Sequence, residues 1–152
     1  NVGDTKEQKI LLDGVEHYLA LASTYTQPRK PSVIMLHGLS GSGKSTLAAS
    51  LNERLLAIWI RSDVERKRLF GLFDGSQGSL LKGDMYAPEV TKVTYQRLLD
   101  LTKSIIEDGY SVIVDATFLQ LKERQMFYQA FDKTDVPIII LDLQVENNEL
   151  RE

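Results

Sequence analysis

Residues 38–45 constrain this chain more than any other stretch: Gly38, Leu39, Ser40, Gly41, Ser42, Gly43, Lys44 and Ser45 match the spacing G-x-x-x-x-G-K-[ST]. An apolar run, Val33 to Leu36, comes immediately before, and helical periodicity begins with Thr46 and Leu47. A strand, a glycine-rich turn and a helix in that order make a seat for a polyphosphate. Glycines let the backbone curl around an anion without Cβ clashes. The unpaired N–H groups and positive dipole end of the next helix face the charge. Lys44 adds a cation toward the β- and γ-phosphates, and the Ser45 hydroxyl suits Mg²⁺. The expected nucleotide contacts therefore run from Gly38 through Thr46, with ATP and Mg²⁺ as cofactors. A Gly/Ser-rich turn without a ligand is the competing reading.

The rest of the chain extends the alternation. Strands are expected at 32–37, 56–61, 110–115 and 136–143. Helices are expected after the loop, from Ser62-Asp63 to Phe70, from Pro88 to a stop at Gly109, and from about Gln120 to Phe131. On the helix after Pro88, Val90, Val93, Leu98, Leu101 and Ile105 form the predicted apolar face. Trp59, inside a strand, is expected in the core. Gly71 to Gly83 carries four glycines and reads as a mobile loop. Strands alternating with helices predict an α/β fold with a mostly parallel sheet between two helical layers.

Upstream, Asp4 to Gln8 has capping-box spacing, and Leu11, Val15, Tyr18, Leu19 and Ala22 repeat at helical period. Gln27 to Pro31 reads as a stiff linker. The chain thus divides into residues 1–30, a helix and linker, and 31–152, the phosphate-binding domain. It begins at Asn1 without an initiator Met, as expected of a piece of something longer.

Composition removes several chemistries. The 152 residues contain no cysteine and two histidines, so thiolate catalysis and Cys-ligated metals are excluded. A net charge of −3 gives no global reason to expect nucleic acid, although a local basic groove near Arg61, Lys67 and Arg68 stays open. No apolar run is long enough to span a membrane, and no signal peptide is visible, so a cytoplasmic location is expected.

In parallel α/β sheets, ligands sit beyond the carboxyl ends of the strands. Two acids fall there. Asp63 follows the second strand and, with Arg66, forms Asp-x-x-Arg on one helix face. Asp63 is positioned to take a proton from an acceptor while Arg66 grips a phosphate. Asp115 ends the third strand, where it would hold Mg²⁺ with Ser45, and Thr117 follows on the substrate side. The competing readings are an N-cap aspartate, a solvated arginine, a turn aspartate and a plain turn threonine. Tyr86 and Tyr95 read as packing before cleft, Arg124 as either cleft or surface pairing, and His37 as packing.

The stretches Met35 to Thr46, Ile60 to Leu69 and Val112 to Phe118 resemble predicted P-loop kinases often classed as AAA-family ATPases. The resemblance runs from about Pro31 to the C-terminus. It implies strand order 2-3-1-4-5 with a lid, and frequent fusion behind an aminoglycoside-phosphotransferase-like domain, whose end the first helix would be. More distantly the chain is similar to polynucleotide kinase, gluconate kinase, shikimate kinase and zeta toxin. By resemblance to polynucleotide kinases, Asp63 is the general base, Arg66 the phosphate contact, and Asp115 and Thr117 line the acceptor side. The fifth strand and lid have no counterpart before Glu152. The expectation is an ATP-dependent kinase, with Lys44, Asp63 and Arg66 catalytic and the hydroxyl acceptor unidentified. The alternatives are a nucleotide-dependent regulatory module with slow ATPase activity and an inactive domain that retains its loop.

Overall fold

Val33 to His37 forms β1, with Val33, Met35 and Leu36 fully buried and Ile34 nearly so. A strand with no polar face must lie in the middle of a sheet covered on both sides, and β1 does. The computed structural model describes residues 12–20, 22–23, 30–69, 84 and 87–144. Within them residues 12–20 are helical (α1). The remaining elements are α2 (Lys44–Leu55), β2 (Ile58–Arg61), α3 (Ser62–Leu69), α4 (Pro88–Glu107), β3 (Val112–Asp115), α5 (Leu121–Phe131) and β4 (Ile138–Asp142).

The four strands are all parallel, in the order β2-β3-β1-β4, which reproduces the first four places of the expected order. Register aligns Leu36 with Asp115 and Arg61 with Asp115, so β1, β2 and β3 end at one level. That shared edge is where the chemistry-bearing residues gather.

Side chains alternate across the sheet. Val33, Met35, Ile60, Val112 and Val114 face α4 and α5, meeting Tyr95, Leu98, Leu99, Phe127 and Phe131. Ile34, Leu36 and Ile113 face the other way, toward Ala48 of α2 and partly buried Leu47, Leu51 and Trp59. The result is a three-layer α/β/α domain. Trp59 is therefore at the edge of the second core, with the Arg61 guanidinium carbon 5.3 Å from its ring centroid.

Three details depart from the sequence reading. Leu56 adopts φ 48° at the C-cap of α2, which delays β2 to Ile58. On α4, Val93 is 40% exposed, and the buried face instead includes Thr94, Tyr95 and Thr102. Thr94 and Thr102 return their hydroxyls to the carbonyls of Val90 and Leu98, at 2.7 and 2.8 Å, which lets polar residues occupy core positions. On α1, Val15, Tyr18 and Leu19 are helical as expected, but all three are exposed. The α4 stop follows expectation: Gly109 takes φ 81° while its amide bonds Ile106 and the Tyr110 amide bonds Ile105.

The helix start near Asp4, most of the linker, the 71–83 loop, Tyr86 and the residues after Gln144 lie outside the described residues. No helix among the described residues is long and apolar enough to cross a membrane.

Candidate active site

The loop after β1 is built on left-handed backbone. Gly41 and Gly43 take φ 82° and 83°, and Gly43 is the N-cap of α2 without any side-chain cap. The first four amides of any helix lack intrahelical acceptors, and here no serine or aspartate fills that role at α2. Gly38 is constrained differently. A Cβ there would lie 2.8 Å from the Leu143 carbonyl and 2.9 Å from Ser42 Oγ, at φ 146°. Only glycine fits between the loop and β4.

A cavity of about 440 Å³ opens over this loop. Ser40, Gly41 and the run from Gly43 to Thr46 form its floor, Arg61, Ser62 and Asp63 one wall, and Asp115, Ala116 and Thr117 the other. The ends of β1, β2 and β3 thus contribute jointly to one site. Of the expected nucleotide contacts, Gly38, Leu39 and Ser42 fall outside the lining: the Gly38 amide donates to the Thr117 carbonyl at 3.2 Å, Leu39 is 48% exposed, and Ser42 Oγ faces Lys44.

Lys44 and Asp115 are nearly buried, at 7% and 6% exposure. The Lys44 ammonium donates to the Leu39 carbonyl, and to Ser42 Oγ at 3.4 Å. Burial lowers its pKa from the usual 10.5, and the nearby Asp115 carboxylate opposes that shift. Ser45 Oγ donates to Asp115 Oδ2 at 2.7 Å, across seventy residues of chain. A hydroxyl and a carboxylate oxygen that close together fit Mg²⁺, which takes few protein oxygens and completes its shell with phosphate and water. No cluster of three or more His, Cys, Asp or Glu that could hold a metal stands among the described residues, this site included.

Asp63 sits in the first turn of α3, in place of a cap, and is paired with Arg61 at 3.2 Å. Its side chain is 54% exposed. Arg66 is turned away from the cavity lining; its guanidinium reaches Thr91 Oγ1 of α4 at 3.5 Å. Arg124 donates to the carbonyls of Phe118 and Leu119, clamping the turn after β3. His37 bonds Asp142 at 2.6 Å, a cross-strand pair that register predicts. The Asp142 carboxyl falls below its ordinary 3.8, through the Gln144 amide and then His37.

Sequence reasoning read Arg61 with Lys67 and Arg68 as a solvated basic face or a basic groove and did not place it among the site residues, yet it lines the cavity. Its position at the end of β2 was the available signal. It also put packing ahead of a cleft role for Tyr95. Tyr95 OH accepts the Phe118 amide at 2.9 Å and meets Thr117 Oγ1 at 3.3 Å, contacts that span more than twenty residues and leave no local pattern.

A parallel sheet in this order, with the glycine loop leading into α2 and acids on the adjoining strand ends, is a P-loop kinase-like fold. The chain belongs to the family described as AAA domain, whose model matches residues 33–152. It is 33% identical over 108 residues to an uncharacterized protein of Mycobacterium tuberculosis, covering 70% of this chain and 21% of that protein. It is 35% identical over 88 residues to the adenylyl-sulfate kinase of Pseudomonas aeruginosa, covering 57% of this chain and 41% of the kinase. Among solved structures it resembles the APS kinase CysC of Mycobacterium tuberculosis in complex with AMPPNP and APS. That match has a TM-score of 0.61 at 18% identity and covers 80% of this chain and 67% of the other; it is a likeness of fold. The chain therefore spans about a fifth of the length of its mycobacterial relative.

Proposed function

We propose that this domain binds Mg-ATP and transfers the γ-phosphoryl group to a hydroxyl acceptor, a small molecule or a nucleic-acid end. The observation that carries the reading is the 2.7 Å bond between Ser45 and Asp115 in the cavity that also holds Lys44 and Asp63. Ser45 and Asp115 would hold Mg²⁺, which when bound neutralises charge on the phosphate oxygens. The loop amides and Lys44 cradle the phosphates. Asp63, on the opposite wall and open to solvent, accepts the hydroxyl proton as the acceptor attacks. Arg66, three residues beyond Asp63 on α3 and outside the cavity lining, would serve the acceptor side. An upstream phosphotransferase-like domain would present or regulate the acceptor.

The test is Asp63→Asn with ATP consumption measured against sugars, nucleosides, aminoglycosides and 5′-hydroxyl oligonucleotides. The Kd for Mg-ATP is expected to stay within about threefold, because Asp63 bears on the acceptor and a general base acts in the transition state. Acceptor-stimulated turnover is expected to fall by roughly 10²-fold or more. Full turnover in Asp63→Asn would refute the assigned base.

A further inference from the structure

We propose that Tyr95 is a positioning residue for the phosphate cavity: its hydroxyl holds the turn at 116–118, which presents Thr117 to the cavity and docks on the start of the glycine loop. The inference rests on the phosphoryl-transfer reading for its kinetic consequence, though not for its geometry.

The turn needs an external hold. Phe118 adopts φ 49°, a left-handed conformation that costs a β-carbon-bearing residue stability. Its ring is fully buried, stacked edge-on between Tyr95 and Phe127 with centroids 5.3 and 5.2 Å away. Burying that ring turns the backbone over and aims the Phe118 amide inward, away from solvent. An amide so placed must find an acceptor. Tyr95 OH supplies it at 2.9 Å.

The hydroxyl has a second contact. Tyr95 OH lies 3.3 Å from Thr117 Oγ1, so it fixes the rotamer of a side chain that lines the cavity. Burial raises the Tyr95 pKa above the usual 10.0, which keeps the phenol protonated and able to donate. Either hydroxyl can be the donor in that contact. In either arrangement the Thr117 hydroxyl is oriented through Tyr95. Thr117 in turn accepts the Gly38 amide on its carbonyl, at 3.2 Å. The sequence of contacts therefore runs from the middle of α4 through the turn after β3 to the first residue of the glycine loop. Asp115, which bonds Ser45, is only two residues before Thr117. Tyr95 also lines a second cavity of about 510 Å³ between α4 and α5, with Thr91, Lys92, Gln120 and Glu123. Tyr95 therefore borders that space while its hydroxyl touches Thr117 of the phosphate cavity.

The experiment compares the wild-type chain with Tyr95→Phe and with Thr102→Val. Thr102 is a buried hydroxyl on the same helix that bonds only its own turn, so its loss controls for general weakening of α4. Amide hydrogen exchange at Phe118 and Gly38 is read first. In Tyr95→Phe protection of both is expected to drop by roughly tenfold, the equivalent of one net hydrogen bond; in Thr102→Val it follows global stability alone. Steady-state ATP consumption is read second. Tyr95→Phe is expected to lower kcat by about tenfold with KM for ATP within about threefold, since Thr117 and not the loop amides is misplaced. Adding Tyr95→Phe to Thr117→Val is expected to cost little more than Thr117→Val alone. Unchanged exchange at Phe118 and Gly38, or additive losses in the double variant, would overturn the proposal. A wild-type chain that consumes no ATP would sink the kinase reading, and the exchange data would still decide the role of Tyr95.

Discussion

Lys44 carries a positive charge into a nearly buried position, where the Leu39 carbonyl and the Ser42 hydroxyl accept from it. The charge that would attract phosphate is therefore held at a desolvation cost, which Asp115 partly offsets. A lysine whose pKa is lower folded than unfolded binds fewer protons in the folded state between those two values. Its cost to stability is fully present below the folded value and disappears as pH rises past 10.5. Lys44→Met keeps the length of the side chain and removes the charge. In the absence of nucleotide its melting temperature is expected to equal or exceed that of the wild type, while the shift produced by Mg-ATP is lost. A variant that melts lower yet still responds to Mg-ATP would contradict this account. The Arg61–Asp63 pair behaves otherwise: both partners are well exposed, so it contributes little stability, about 0–1 kcal/mol, and mainly orients Asp63.

Helix α3 holds the proposed base, and its orientation depends on α4. The link is Glu65, 2% exposed, whose carboxylate accepts Arg68 of its own helix and Arg97 Nε of α4 at 3.4 Å. Both arginines keep about half of their surface in water, which tempers the desolvation that a wholly buried ion pair would suffer. Glu65→Gln preserves volume and removes the charge, and is expected to cost about 1–2 kcal/mol in chemical denaturation with an unchanged m-value. Because Asp63 lies two residues upstream, acceptor-dependent turnover is expected to fall further than stability alone dictates. Stability and turnover both at wild-type level would show that α3 is held by its apolar contacts instead. The same helix pair explains why Arg66 lies off the cavity: α4 offers it Thr91.

At the scale of the molecule, three strands of one parallel sheet end together and supply a loop, two acids and a threonine to a single cavity. Such a site forms only when the whole sheet is assembled, so ligand binding and folding are linked. Mg-ATP at about 100 times its Kd is expected to add about 2.7 kcal/mol to unfolding. For a domain of this size that corresponds to a rise in melting temperature of roughly 5–10 °C. Omitting Mg²⁺ is expected to remove much of the rise, because Ser45 and Asp115 then have no shared cation. No change in melting at millimolar Mg-ATP would favour a domain that retains the loop without using it.

The chain's own order of residues determined the strand, loop and helix around Gly38 to Thr46, since each depends on neighbours a few positions away. It also determined that Asp63, Asp115 and Thr117 would meet, because parallel strands bring their carboxyl ends to one edge. Tertiary packing decided what local pattern does not encode. It rotated α4 so that Thr94 and Thr102 went inward and Val93 outward. It drew Phe118 into the core between two rings and gave its displaced amide to Tyr95. Period and spacing are properties of a single element, whereas the side of a helix that meets a distant turn is set only when both compete for the same buried volume.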